Sequence, residues 1–140
     1  MTLIIACGMK REAAIIRRAG RDMVAVIGGG QSARLETELD AVSGMFPGII
    51  VSAGIAGALD PALKPGDVVI GGDAALVERL RAILPDAHVG QVAGGDAPAA
   101  SVEAKRALAR ESGAIAVDME SHIAARVAQR RTLPFVAIRA

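Results

Sequence analysis

Short apolar runs of strand length recur along this chain at residues 3–7, 23–27, 48–52, 67–70, 88–92, 114–117 and 135–139. Most are separated by stretches in which apolar residues return every three or four positions, and this spacing predicts helices over residues 10–19, 32–43, 74–84, 101–111 and 119–131. Ser32 and Ser101 are placed as N-caps, and Gly20, Gly44 and Gly113 as helix stops. Strand and helix in alternation predict a largely parallel sheet covered on both faces. In such folds ligands bind beyond the carboxyl ends of the strands, and each glycine-rich loop (Gly8, Gly28 to Gly30, Gly54 to Gly57, Gly94 and Gly95) follows such an end. The loops are therefore expected to converge on one crevice.

The stretch IIVSAGIAGALDPALKPGDVVI, residues 49–70, joins a buried strand to a second strand through a small-residue loop. Gly54, Ala56 and Gly57 leave main-chain N–H groups open to a sugar or phosphate, while Pro65, Gly66 and Asp67 turn the chain. The same residues also read as a plain strand-to-strand connection.

A length of 140 residues suits one domain, 1–140, with no internal repeat or linker. Apolar residues make up 52% of the chain, yet their longest runs are strand-sized, so no membrane span is expected. The single cysteine, Cys7, excludes an internal disulfide, and the first residues lack the pattern of a signal peptide; a reducing cytoplasmic setting is expected. Sixteen Lys and Arg stand against fifteen Asp and Glu without a basic tail, and two Phe are the whole aromatic complement. Nucleic acid is therefore not expected as a partner. The last strand reaches only Ala140 with no closing helix, so the chain reads as cut rather than finished.

Candidate chemistry gathers at strand ends. Val117, Asp118, Met119 and Glu120 sit where a strand passes into a helix. There Glu120 could accept from both hydroxyls of a ribose while Met119 packs on the sugar, or the pair could be a capping acid beside a core methionine. Glu12 follows the first strand and reads as a general base for water or as a solvated acid among Lys10, Arg11 and Arg17. Arg139, at the exit of the last strand, could pair with Glu12, orient a nucleophile or reach solvent.

Gly28 to Ala33 match the G-x-G-x-x-A form of a dinucleotide fingerprint, but the following strand ends at Val51 and Ser52 without the acid that would hold a ribose hydroxyl. Gly29 and Gly30 remain candidates for backbone contact with a sugar or anion. His88, His122 and Cys7 lack metal-ligand spacing, so no metal is assigned. Arg126, Arg130 and Arg131 suit the dipole of the last helix and need no further role.

Taken in order, GMKREAAII (residues 8–16), SAGIAGAL (52–59), KPGDVV (64–69), AGGDAP (93–98), AVDMES (116–121) and PFVAIRA (134–140) resemble the purine nucleoside phosphorylase and nucleosidase superfamily. The likeness is greatest to its hopanoid-associated phosphorylase branch, through the triple glycine, GGDAPAASVEAK and AVDMESHIAARVA, with methylthioadenosine/S-adenosylhomocysteine nucleosidases as cousins. The resemblance implies a three-layer α/β/α fold with a mostly parallel mixed sheet, here without the last helix. It implies cleavage of the N-glycosidic bond of a purine nucleoside of adenosine type in a homo-oligomer. No cofactor is implied; phosphate is an alternative co-substrate to water.

By the same resemblance Met119 and Glu120 hold the ribose, Glu12 activates the attacking water, Arg139 neighbours it, Gly54 and Gly57 belong to the loop that meets the ligand, and residues 91–95 meet the base. Three departures stand out. The aspartate that serves the family as general acid would fall just beyond Ala140, as would the final helix, which leaves a hydrophobic groove. The phosphorylases' phosphate-holding arginine and serine correspond to Ser52 and Ile55, which turns the expectation toward hydrolysis. The base-stacking phenylalanine corresponds to Pro98, and the segment between Ile70 and Ala93 is short. Three functions are thus carried forward: a glycosidic-bond-cleaving enzyme, a nucleoside-binding remnant, and a dinucleotide-binding domain built on Gly28 to Ala33.

Overall fold

The computed structural model describes residues 1–95 and 101–140; the expected base-facing position Pro98 lies outside them. The order is β1 (Thr2–Cys7), α1 (Lys10–Ala19), β2 (Met23–Ile27), α2 (Ser32–Met45), β3 (Gly48–Gly54), β4 (Gly57–Ala58), β5 (Val69–Gly72), α3 (Ala74–Ile83), β6 (His88–Val89), β7 (Val92–Gly94), α4 (Val102–Ser112), β8 (Ala116–Asp118), α5 (Ser121–Arg131) and β9 (Phe135–Arg139).

Six strands form the main sheet in the order β2-β1-β3-β9-β5-β6, parallel except where β5 meets β9. Side chains of successive strand residues point to opposite faces, so each central strand feeds two cores. Ile4, Ala6 and Ile50 pack with Leu35 and Leu39 of α2 and Ile123 and Val127 of α5. Ile5, Val51, Ile70 and Val136 pack on the other side with Ile16 of α1 and Val77 and Leu80 of α3. This is the expected three-layer α/β/α arrangement with a mostly parallel mixed sheet. A second sheet, β4-β8-β7, adds a small core of Leu59, Ala93, Ala114 and Val117 under Leu108 of α4.

Several boundaries differ from expectation for visible reasons. The run 88–92 is two strands in two sheets. Gly90 donates its N–H to the Ile70 carbonyl at 3.1 Å and crosses so close to Gly71 that a Cβ there would meet the Gly90 oxygen at 2.3 Å, which carries the chain out of the main sheet. Helix α2 starts from Gln31 as N-cap, with Ser32 already helical, and runs through Gly44 until the Phe46 N–H closes on the Val42 carbonyl at 2.9 Å. Ser101 does cap α4, accepting from the Ala104 N–H at 3.0 Å, and Gly113 ends it in the left-handed conformation. Helix α5 begins at Ser121, because Asp118 Oδ1 accepts the N–H groups of Glu120 (3.2 Å) and Ser121 (2.9 Å) and holds the preceding residues in a turn. Arg126, Arg130 and Arg131 do more than complement the helix dipole: they pair with Glu36 and Asp40 of α2 at 2.7 to 3.3 Å.

No helix among the described residues is long and apolar enough to cross a membrane.

Candidate active site

The carboxyl ends of β1, β3, β8 and β9 surround a cavity of about 380 Å³. Glu12 enters it from the first turn of α1. Its Oε2 accepts the N–H groups of Gly8 (2.7 Å) and Met9 (2.9 Å), and its Oε1 accepts that of Ile55 (3.1 Å) from the loop after β3. Three backbone donors and a helix N-terminus thus converge on one carboxylate. Each carboxylate oxygen can accept about two hydrogen bonds, so Oε1 keeps one position for a further donor.

Arg139 ends β9 with only 1% of its surface exposed. Its Nε lies 2.8 Å from Asp118 Oδ2, and its Nη2 lies 3.3 Å from Glu120 Oε2 and donates to Ser52 Oγ. Its Nη1 donates to the Ile55 carbonyl at 3.2 Å. Of the readings open to Arg139, neither pairing with Glu12 nor reaching solvent is seen: its charge partners among the described residues are Asp118 and Glu120, and Ile55 links Glu12 to Arg139 by giving its N–H to the first and its carbonyl to the second. Ser121 Oγ hydrogen-bonds Asp118 Oδ2 and lies 2.8 Å from Ser52 Oγ, closing a buried ring of polar groups. Buried charge of this kind persists only when paired and hydrogen-bonded, and here the partners come from β3 and the loop after it, the end of β8 and the start of α5.

Glu120 occupies the N-cap position of α5, buried beside Gly8, where a Cβ would approach Oε1 to 2.7 Å. Burial pushes its carboxyl above the usual value, against the opposing pull of the Arg139 charge. Half-buried Met119 lines the cavity next to it, as does Gly57, held by pairing with Val117. Gly54 stands behind the wall. Its φ of 147° and missing side chain make room for Glu12 Oε1, which a Cβ would meet at 2.5 Å, and for Arg139 Nη1 at 2.9 Å. Gly29 and Gly30 border an adjoining hollow that shares Gly8, Met9, Met119 and Glu120 with the cavity. The Gly28 and Gly29 N–H groups are already given to the Cys7 and Gly8 carbonyls. Gly94 lies elsewhere, against His122, beside a separate groove.

Sequence reasoning gave no role to Asp118 or Ser121 and read Ser52 only as the counterpart of a phosphate-holding residue. An acid closing the apolar run AVD was the available signal for Asp118; its partner Arg139 is set by strand order, which no local pattern encodes. No group of His, Cys, Asp and Glu among the described residues is arranged to hold a metal ion.

The sequence model of the phosphorylase superfamily matches residues 72–140, which include Asp118, Met119, Glu120 and Arg139. The match covers the second half of the chain. The whole chain shares its fold with solved nucleosidases. The structure of S-adenosylhomocysteine nucleosidase from Streptococcus pyogenes with 5-methylthiotubericidin is 19% identical, with a TM-score of 0.89 over 100% of this chain and 82% of that one. The methylthioadenosine/S-adenosylhomocysteine nucleosidase from Neisseria meningitidis with methylthio-immucillin-A is 23% identical, TM-score 0.86, covering 99% and 84%. A futalosine hydrolase mutant from Helicobacter pylori is 19% identical, TM-score 0.84, covering 100% and 85%. No curated protein matches the chain in sequence.

Proposed function

We propose that this chain is a member of the phosphorylase superfamily that hydrolyses the N-glycosidic bond of an adenosine-type nucleoside. The observation that carries the reading is the seat of Glu12. Its carboxylate fills a cradle of three backbone N–H groups that would otherwise suit an anion, so a phosphate arriving there would meet like charge, whereas water can donate to the remaining acceptor position on Oε1. Glu120 accepts from the ribose 2′- and 3′-hydroxyls and Met119 packs on the sugar. As the C1′–N bond breaks, positive charge develops on the sugar, and the Glu12 and Glu120 carboxylates at the cavity stabilise it. Arg139 is a positioning residue that holds Glu120 through the ion pair and Ile55 through its carbonyl. That nucleosidases with nucleoside analogues share this fold supports the substrate class.

Met9 and Ile55 line the same cavity with 44% and 64% of their surfaces exposed. This apolar rim favours a nucleoside with an apolar substituent on the 5′ carbon, in keeping with the resemblance to hopanoid-associated phosphorylases. The test is adenine release from adenosine and from methylthioadenosine, with and without phosphate, and identification of the sugar product. Free sugar at a rate independent of phosphate is expected. Sugar 1-phosphate would replace hydrolysis by phosphorolysis, and nucleoside binding without release would favour a binding remnant.

A further inference from the structure

We infer that Ser52 and Ser121 are positioning residues of this site: their hydroxyls form a one-way hydrogen-bonded chain that fixes the guanidinium of Arg139 and, through it, both carboxylates. The inference rests on the hydrolase reading above. Ser52 follows Ile50 and Val51 in the buried part of β3, and Ser121 is the first residue of α5; both are buried. A hydroxyl withdrawn from water among apolar neighbours is costly unless it is bonded. Ser52 Oγ meets Arg139 Nη2 at 2.5 Å and Ser121 Oγ at 2.8 Å, and Ser121 Oγ in turn meets Asp118 Oδ2.

Counting protons gives the chain its direction. A guanidinium only donates, a carboxylate only accepts, and each serine hydroxyl has one proton to give. Between Ser121 and Asp118 that proton can come only from Ser121. Ser52 then supplies the proton between the two hydroxyls, and its oxygen accepts from Arg139 Nη2. The run passes from Arg139 to Ser52, Ser121 and Asp118, and it closes where Asp118 Oδ2 faces Arg139 Nε at 2.8 Å. Asp118 Oδ1 is filled by the N–H groups of Glu120 and Ser121, at 3.2 and 2.9 Å. Turning either hydroxyl away would leave a buried polar group unpaired, which costs more than the net gain of an ordinary hydrogen bond.

The ring fixes the side of Arg139 that meets the catalytic groups. Nη2 lies 3.3 Å from Glu120 Oε2, and Nη1 donates to the Ile55 carbonyl at 3.2 Å. The Ile55 N–H donates to Glu12 Oε1 at 3.1 Å. One guanidinium therefore holds the ribose-binding carboxylate directly and the water-activating carboxylate through a single residue. Glu120 also feels the negative charges of Asp118 and Glu12, lies near the Cys7 thiol, and borders a hollow lined by Lys10 and Arg34. Arg139 is the cation whose charge opposes those of the two acids. A guanidinium released from the ring would leave Glu120 with a weaker counter-charge.

The experiment measures kcat/KM on adenosine and methylthioadenosine across pH for the wild-type chain, Ser52→Ala, Ser121→Ala, the double variant and Ser121→Thr, with a urea midpoint for each. Ser121→Ala keeps the start of α5, because Asp118 Oδ1 still holds the backbone N–H groups and alanine favours a helix, so it carries the test alone if Ser52→Ala does not fold. Each alanine variant is expected to lose about 10- to 10²-fold. Its acid limb is expected at higher pH than in the wild-type chain, because a loosened Arg139 no longer opposes protonation of Glu120. The double variant should lose no more than the larger single loss, since the ring acts as a unit, and Ser121→Thr, which keeps the hydroxyl, should keep the wild-type profile. Unchanged rates, additive losses, a lower rate with an unmoved acid limb, or a Ser121→Thr profile like that of Ser121→Ala would overturn the inference. A wild-type chain that releases adenine from either nucleoside keeps the hydrolase reading whatever the variants do; one inert on both overturns that reading and this inference with it.

Discussion

Arg139 and Asp118 form a salt bridge, Nε to Oδ2 at 2.8 Å, in which both side chains are 1% exposed. The pair joins the end of β9 to the end of β8, two strands that belong to different sheets. Removing one charge leaves the other buried. Asp118→Asn is therefore expected to destabilise the chain by about 3–5 kcal/mol, seen as a lower midpoint in urea. An unchanged midpoint would show that Arg139 finds another partner. Asp118→Glu keeps the charge and should recover part of the loss.

The helices, most strands and the gathering of Gly8, Gly29 and Gly57 at strand ends were legible in the sequence, because apolar period and glycine position are local properties. That Glu12, Met119 and Glu120 meet at one cavity was legible through the motifs that carry the resemblance. Arg139 was placed at the right strand exit, but its charge partners Asp118 and Glu120 were not among the readings its position offered. Its neighbours depend on β9 inserting between β3 and β5, an arrangement that follows from packing the whole chain. The same reason hid the pairing of Asp40 with Arg130 and Arg131 across two helices, and the division of residues 88–92 between two sheets.

On the proposed reading, in which Glu120 holds the ribose, substrate recognition is pH-dependent. Burial raises its carboxyl above the usual value, so on acidification it gains a proton earlier than an exposed glutamate, and its grip on the hydroxyls weakens at the same point. kcat/KM should fall on the acid side at a pH above the ordinary carboxylate range. Stability responds in the opposite sense. A raised folded-state value means the folded chain binds the proton first, so this group's contribution to stability falls as pH rises through the window between the unfolded and folded values. In Glu120→Gln, affinity for a nucleoside analogue should be lost at every pH; retained affinity would remove Glu120 from the ribose site.

Gly54→Ala tests the packing behind the site. The new methyl group would stand 2.5 Å from Glu12 Oε1 and 2.9 Å from Arg139 Nη1, on a backbone with φ of 147° that L residues rarely adopt. Both side chains are pinned by hydrogen bonds, so relief has to come from moving Glu12 or Arg139. The strain alone is of the order of 1–3 kcal/mol, and displacement of Glu12 should lower kcat by about 10²-fold or more. Crystallography of the variant, or thermal melting beside the rate assay, separates the two effects. Wild-type stability and rate together would refute the close packing.

Cys7 closes β1 directly before Gly8 and is fully buried, with Sγ 3.7 Å from the Val26 carbonyl. Burial first, and then the negative charge of Glu12, push its thiol up to about 11. The thiolate is the reactive form, so at neutral pH the folded chain should resist maleimide or disulfide reagents on the timescale in which a denatured sample is labelled completely. Because Cys7 lies beneath the turn that carries Glu12, its labelling rate also reports opening of that turn. Addition of a nucleoside analogue that bridges Glu12 and Glu120 should slow labelling further, by mass action on the closed state. Fast labelling of the native chain, unaffected by ligand, would mean that the β1–α1 turn opens independently of the site and that Glu12 is not held in its backbone cradle in solution.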